Sequence, residues 1–161
     1  MTQIRSFKQL EQVLLQKIAL SVEEIGKQIK EMLRKNVQEL WYERSYTPTH
    51  YTRTFELIDS ITVTEAKRVP DGYQVVIYFD TDKINPYPPA QEGEWPRHQS
   101  ITDGADVSAY IPQWIEFGQN SPLFSYEGVH AMQKTKEEVV DDDWIKKRIK
   151  DLLGVKGFTV K

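Results

Sequence analysis

The sequence predicts an α+β fold: a long N-terminal helix packed on a small antiparallel sheet, with a C-terminal helix and a long projecting loop. Three patterns carry this prediction. From about Ser6 to Trp41 there is no proline and apolar residues recur every three or four positions; alternating residues then flank a Val69-Pro-Asp-Gly72 turn; and helical spacing returns from Thr135. Period separates helix from strand, because side chains repeat every 3.6 residues in one and every 2 in the other. At 161 residues the chain reads as a single domain with appendages.

In the first element the apolar positions are Phe7, Leu10, Leu14, Ile18, Val22, Ile25, Ile29, Leu33, Val37 and Leu40. Their mean step of about 3.7, with Phe7, Ile18, Ile29 and Leu40 eleven apart, keeps an apolar stripe nearly straight along a helix over 6–41. Such a helix is about 50 Å long, whereas a compact domain of this size is about 30–40 Å across. One end should project and need a partner, with Ile18 and Ile29 as candidate contacts. The alternative is that Gly26 divides the run into two helices folded on each other.

Residues 51–80 read as a short helix and a β-hairpin. Pro48 breaks the chain, and Thr49 or Thr52 can cap a short helix through Ile58. Residues 60–66 alternate, with Ile61 and Val63 on one face, and the turn at 69–72 leads to a second strand over 73–80. The segment 81–105 holds four prolines with Tyr87 and Trp95. It reads as a projecting loop, either disordered or ordered on a partner through those two aromatics. Over 106–161 the sequence predicts a short helix beginning near Pro112, a helix capped at Thr135 and running to Leu153, and a tail.

Composition narrows the function classes. The chain has no cysteine, which excludes disulfides and thiolate metal sites. It has no apolar run of about 18 residues and no apolar leader, so no membrane contact is expected and a cytoplasm is the expected site of synthesis. Net charge is −3, but residues 1–50 carry 8 basic and 6 acidic groups, residues 51–143 carry 7 and 17, and residues 144–161 carry 6 and 1. An acidic body with a basic end around Lys146, Lys147 and Arg148 differs from the broad basic face of a duplex binder. It suits like subunits packing head to tail, or simply a solvated helix end placed to suit the helix dipole. A nucleic-acid-binding accessory role through those three residues is the alternative.

Catalytic patterns are missing. His50, His98 and His130 stand far apart, Asp141-Asp142-Asp143 lacks the spacing of a calcium loop and reads as a solvated helix face or start, and no phosphate loop or nucleophile elbow occurs. No cofactor, metal or catalytic residue is expected, and the protein is read as a non-enzyme. Glu116, beside Trp114 and Phe117, is the one candidate general acid. It lacks a second catalytic group and is better read as a carboxylate satisfied by backbone donors or an arginine.

Two segments carry the identifying text. Residues 51–61 read Tyr-Thr-Arg-Thr-Phe-Glu-Leu-Ile-Asp-Ser-Ile, with Arg53, Thr54, Leu57 and Ser60 as motif positions. Residues 110–118 read Tyr-Ile-Pro-Gln-Trp-Ile-Glu-Phe-Gly, with Tyr110, Pro112, Glu116, Phe117 and Gly118. The second stops four large apolar side chains at a glycine, which predicts a buried element ending in a backbone conformation that a Cβ resists. In this order, after a long helix and around a hairpin, the two segments resemble the HK97 gp10-like family of tailed-bacteriophage neck or tail-completion proteins. The chain departs from that family at Arg53-Thr54, where a glycine is usual, and at Gln119-Asn120, where a threonine is usual. The resemblance implies a structural virion protein in the neck, forming a homo-oligomeric ring that joins head to tail. Its neighbours would be a head-closure or connector protein and a tail-terminator or tail-tube protein, with DNA only passing through the channel. We further expect acidic side chains of the middle segment to line that channel and repel the DNA.

Overall fold

The computed structural model describes residues 6–44, 55–84, 105–120, 125–140, 143–155 and 157. The architecture is α+β, with a long N-terminal helix, small antiparallel sheets and a C-terminal helix. Helix α1 spans Phe7–Val37. Ser6 caps it, accepting from the Gln9 N–H at 3.2 Å. The helix then widens into a π-helical turn, Gln38–Glu43. That extra width carries Trp41 to 5.4 Å from Tyr126 and stacks Tyr42 on Phe55 at 4.6 Å, contacts that a straight 3.6-residue repeat does not anticipate.

Helix α2 is Glu56–Ser60, and strands β1 Ile61–Val63, β2 Lys67–Val69, β3 Gly72–Gln74 and β4 Ile77–Phe79 follow. The short helix thus begins after Phe55, which has φ 61°, and it ends later than expected, at Ser60. Thr49 and Thr52, the expected caps, lie outside the described residues. The expected hairpin divides into two ladders, β1 with β4 and β2 with β3. The division has a local cause. Thr64 donates to the Val76 carbonyl at 2.9 Å while Lys67 pairs with Gln74, so Glu65 and Ala66 face the single residue Val75. This is a β-bulge. The Ala66 N–H that the bulge frees from the ladder donates to Glu23 on α1 at 3.2 Å.

After a 3-10 turn at Thr81–Lys83 and another at Ser108–Tyr110 come α3 Ile111–Phe117, β5 Gly118–Asn120, β6 Ser125–Glu127, α4 Ala131–Val140 and α5 Trp144–Val155. The predicted continuous C-terminal helix is therefore two helices. Asp143, with φ 50°, precedes α5, and an aspartate-rich junction favours a cap over helix interior. Thr135 is not a cap. It lies within α4, buried, and its hydroxyl donates to the Ala131 carbonyl at 2.8 Å. Helix α5 also runs past Gly154, and the left-handed residue after it is Gly157, φ 86°. Most of the projecting loop, residues 85–104, lies outside the described residues.

The chain forms two compact units, Met1–Ile29 with Val63–Ile77 and Glu137–Lys161, and Lys30–Thr62 with Tyr78–Lys136. In the first, Gly26 lies inside α1 and is buried. A Cβ there would stand 2.8 Å from Val75 Cγ2 and 3.1 Å from Val63 Cγ2. The glycine lets the bulged hairpin approach the helix closely, which is why it does not split the helix. In the second unit Leu33, Val37, Leu57, Ile58, Ile61, Ile84 and Ile115 are buried. Buried Asn36 donates to the Thr135 hydroxyl at 2.9 Å, a polar link from α1 to α4 that a burial pattern alone does not reveal.

Candidate functional site

The second unit contains both motif segments, bridged by the Thr81–Lys83 turn, which packs on α2 and on the Ser108–Tyr110 turn. In the first motif Leu57 and Ser60 are buried, and the Ser60 hydroxyl donates to the Leu57 carbonyl at 2.7 Å. Arg34 reaches the end of α2, donating to the Ile58 carbonyl at 2.8 Å and to Asp59 at 3.3 Å. Arg53 and Thr54 lie outside the described residues.

The second motif is a lock between α3 and α4. Pro112 sits in the first turn of α3, where no backbone donor is needed. Asp106 prepares that start by accepting from the Ser108 N–H at 2.9 Å and from its hydroxyl at 2.6 Å. At the other end Gly118 has φ 84°, and a Cβ on it would meet the Tyr126 carbonyl at 2.5 Å, so only glycine fits. Strands β5 and β6 then pair with Gln119 opposite Tyr126, a ladder that the sequence reading missed. The polar Gln119-Asn120-Ser121-Pro122 run was the available turn signal.

Past β6 the chain turns back onto the end of α3. The Val129 and His130 N–H groups donate to the Ile115 and Glu116 carbonyls at 2.8 and 3.2 Å, satisfying groups that a helix end leaves open. His130 itself has φ 53° and opens α4. Glu116, 6% exposed, completes the lock. Its two carboxylate oxygens accept from the Met132 and Gln133 N–H groups at 2.9 and 3.1 Å, so a side chain on α3 caps the N-terminus of α4. The carboxylate is consumed by this contact, an arrangement suited to positioning.

Only part of the motif is buried, contrary to the sequence reading. Ile115 and Glu116 face inward, but Tyr110 is 53% and Phe117 70% exposed. Seven residues make two turns, so a helix this short with Ile115 against the core necessarily presents residues 110, 114 and 117 on its outer face. Tyr110 stacks on half-buried Trp114 at 5.8 Å, with the planes 19° apart.

The other candidate residues are dispersed. Ile18 is exposed on the first half of α1, and Ile29 is half-buried. Lys146 and Lys147 are exposed on α5, and half-buried Arg148 donates to Gln28 at 2.7 Å. Lys147 and Arg148 line a shallow hollow of about 270 Å³ with Gln28, Trp144 and Asp151. Asp143 is 2.7 Å from Lys146, and this hydrogen bond and ion pair holds the carboxyl below its ordinary range and the ammonium above its own. Tyr87 and Trp95 lie outside the described residues. Among those described, no group of three or more His, Asp or Glu is placed to hold a metal ion, and no helix is long and apolar enough to cross a membrane.

No curated protein and no solved structure matches this chain. A family model, YomN, matches residues 6–154, from the cap of α1 to the penultimate residue of α5, and so takes in the lock and both motif segments. The chain belongs to the YomN family of phage-derived proteins.

Proposed function

We propose that this protein is a structural subunit of a tailed-phage virion, forming a ring in the neck that joins head to tail. Likeness of its two motifs to the HK97 gp10-like proteins suggests the neck role, and membership of a phage-derived family supports the association with phage. The observation that carries the ring is the exposed first half of α1. Phe7 is 83% exposed, Leu10 37% and Ile18 39%, and with half-buried Leu14 they form one stripe about 16 Å long. A solvent-facing apolar stripe of that length favours a protein partner.

A closed ring needs two different, complementary patches on each subunit. The apolar stripe, and the opposite charges of the middle segment and the basic C-terminal end, supply the chemistry for both. The further partners are a head-closure or connector protein on one side and a tail-terminator or tail-tube protein on the other. DNA passes through the ring, and acidic side chains of the middle segment line the passage. The protein assembles in the host cytoplasm and ends in the virion neck.

Native mass spectrometry and particle imaging of the purified protein test the reading. The expected result is a ring, located at the head–tail joint in virions, and phage lacking the protein should accumulate full heads and unattached tails. A protein that stays monomeric at high concentration and with both neighbours, or normal phage without it, sinks the proposal. Tight duplex binding with a steep salt slope, lost on replacing Lys146, Lys147 and Arg148, would support the nucleic-acid role instead.

A further inference from the structure

We infer that α5 is a releasable arm, which undocks from α1 as a unit while the rest of the chain stays folded. The first sign is burial. No residue of α5 is buried, whereas the shorter α4 buries Ala131, Thr135 and Val139. Elements with few buried contacts open locally at a small part of the free energy of global unfolding, and switching elements are drawn from them.

The seam between α5 and α1 is also weak at its centre. Trp144, Ile145, Arg148 and Leu152 are half-buried, and positions i, i+1, i+4 and i+8 share one helical face with Arg148 in its middle. A guanidinium thus stands where a docked helix ordinarily presents an aliphatic side chain. Its Nε donates to Gln28 Oε1 at 2.7 Å, and Gln28 in turn donates to Glu24 at 2.9 Å. Among the described residues no carboxylate is ion-paired with Arg148. A half-buried charge whose partner is a neutral amide carries a desolvation cost that an aliphatic pair would avoid. Beside it, the hollow of about 270 Å³ walled by Gln28, Trp144, Lys147, Arg148 and Asp151 is space that neither helix fills. Atoms lining such a space forfeit contacts.

The start of α5 lets it leave intact. Asp143 accepts from the Lys146 ammonium at 2.7 Å and, through its carbonyl, from the Lys147 N–H at 3.1 Å. Both bonds lie within the arm, so the first turn keeps its cap when the helix leaves α1. Lys146, Lys147 and Lys150 are exposed on the side away from the seam. The freed arm is therefore basic on one side and apolar on the other, at Ile145, Ile149 and Leu152. This release belongs to the single subunit and stands apart from the ring.

Hydrogen exchange and NMR relaxation dispersion on the intact chain test it. The α5 amides from Arg148 to Leu153 should exchange about a hundredfold faster than those of Thr135 to Val139 in α4. The Trp144 indole N–H should report a second state populated at about 0.1–10%. Trp144 opens α5, so fraying of the far end would leave that signal unmoved. Gln28→Leu/Arg148→Met replaces both polar partners by aliphatic side chains, and it should slow α5 exchange about tenfold and suppress the second state. If that variant does not fold, the wild-type measurements decide. Amides of α5 as protected as those of α4, a Trp144 signal without a second state, or unchanged or faster exchange in the folded double variant overturns the inference.

Discussion

Replacing Glu116 by glutamine tests the lock at its centre. The carboxylate is buried and accepts two backbone bonds, at 2.9 Å from Met132 and 3.1 Å from Gln133. Glutamine keeps one through its carbonyl oxygen but turns an N–H toward the other donor. The lost charged bond is worth about 1.5–3 kcal/mol, and the lost attraction to the start of α4 about 0.5–1 kcal/mol. We expect Glu116→Gln to lower stability by about 2–4 kcal/mol in urea unfolding followed by circular dichroism. For a chain of this length, about 3 kcal/mol lowers Tm by about 6–12 °C. Hydrogen exchange should quicken first at the Met132 and Gln133 amides. A change under about 0.5 kcal/mol with unchanged exchange at those two amides would refute the capping role. Unchanged stability with loss of a measurable hydrolytic turnover would restore the general-acid reading.

Three further outcomes are expected. Gly26→Ala should destabilise by about 1 kcal/mol despite the better helix propensity of alanine, since the new methyl stands 2.8 Å from Val75 Cγ2. Adding Val75→Ala should recover part of that loss in a double-mutant cycle, and strict additivity would count against the close packing. Ile18→Asp, on the exposed stretch of α1, should leave the unfolding midpoint of the subunit within about 0.5 kcal/mol while dissolving the oligomer, so an unchanged oligomer by native mass spectrometry removes the stripe from the interface. The Asp143 carboxyl, lowered by Lys146, should titrate by NMR below the ordinary aspartate range, and Lys146→Ala should bring it back. The Asp143 contribution to stability is present above its unfolded pKa and is lost as pH falls through the folded one. That of Lys146, whose pKa is raised, is lost as pH rises through its folded value.

The legible parts were those with a repeating or local cause. The spacing from Phe7 to Val37 specified α1 because a helix buries one stripe at a fixed period, and Val69-Pro-Asp-Gly72 specified the β2–β3 turn through backbone preference alone. Pro112 and Gly118 bounded α3 for equally local reasons. Less legible was the aromatic face. Tyr110 and Phe117 read as core by residue type, and only the inward turn of Ile115 and Glu116 placed them outside, with Trp114 half-buried between them. The same limit explains Thr135, which has the spacing of a cap but spends its hydroxyl inside a buried link to Asn36.

What residue order settled, then, was the α+β class, the position of the long helix and the two motif segments, since each follows from neighbours a few residues apart. The fold alone settled what those residues touch. Glu116 meets the start of α4, Gly26 meets Val63 and Val75, and the Glu65–Ala66 bulge finds Glu23, all across long stretches of chain. These contacts depend on how the backbone returns on itself, and a periodic pattern carries no information about that return.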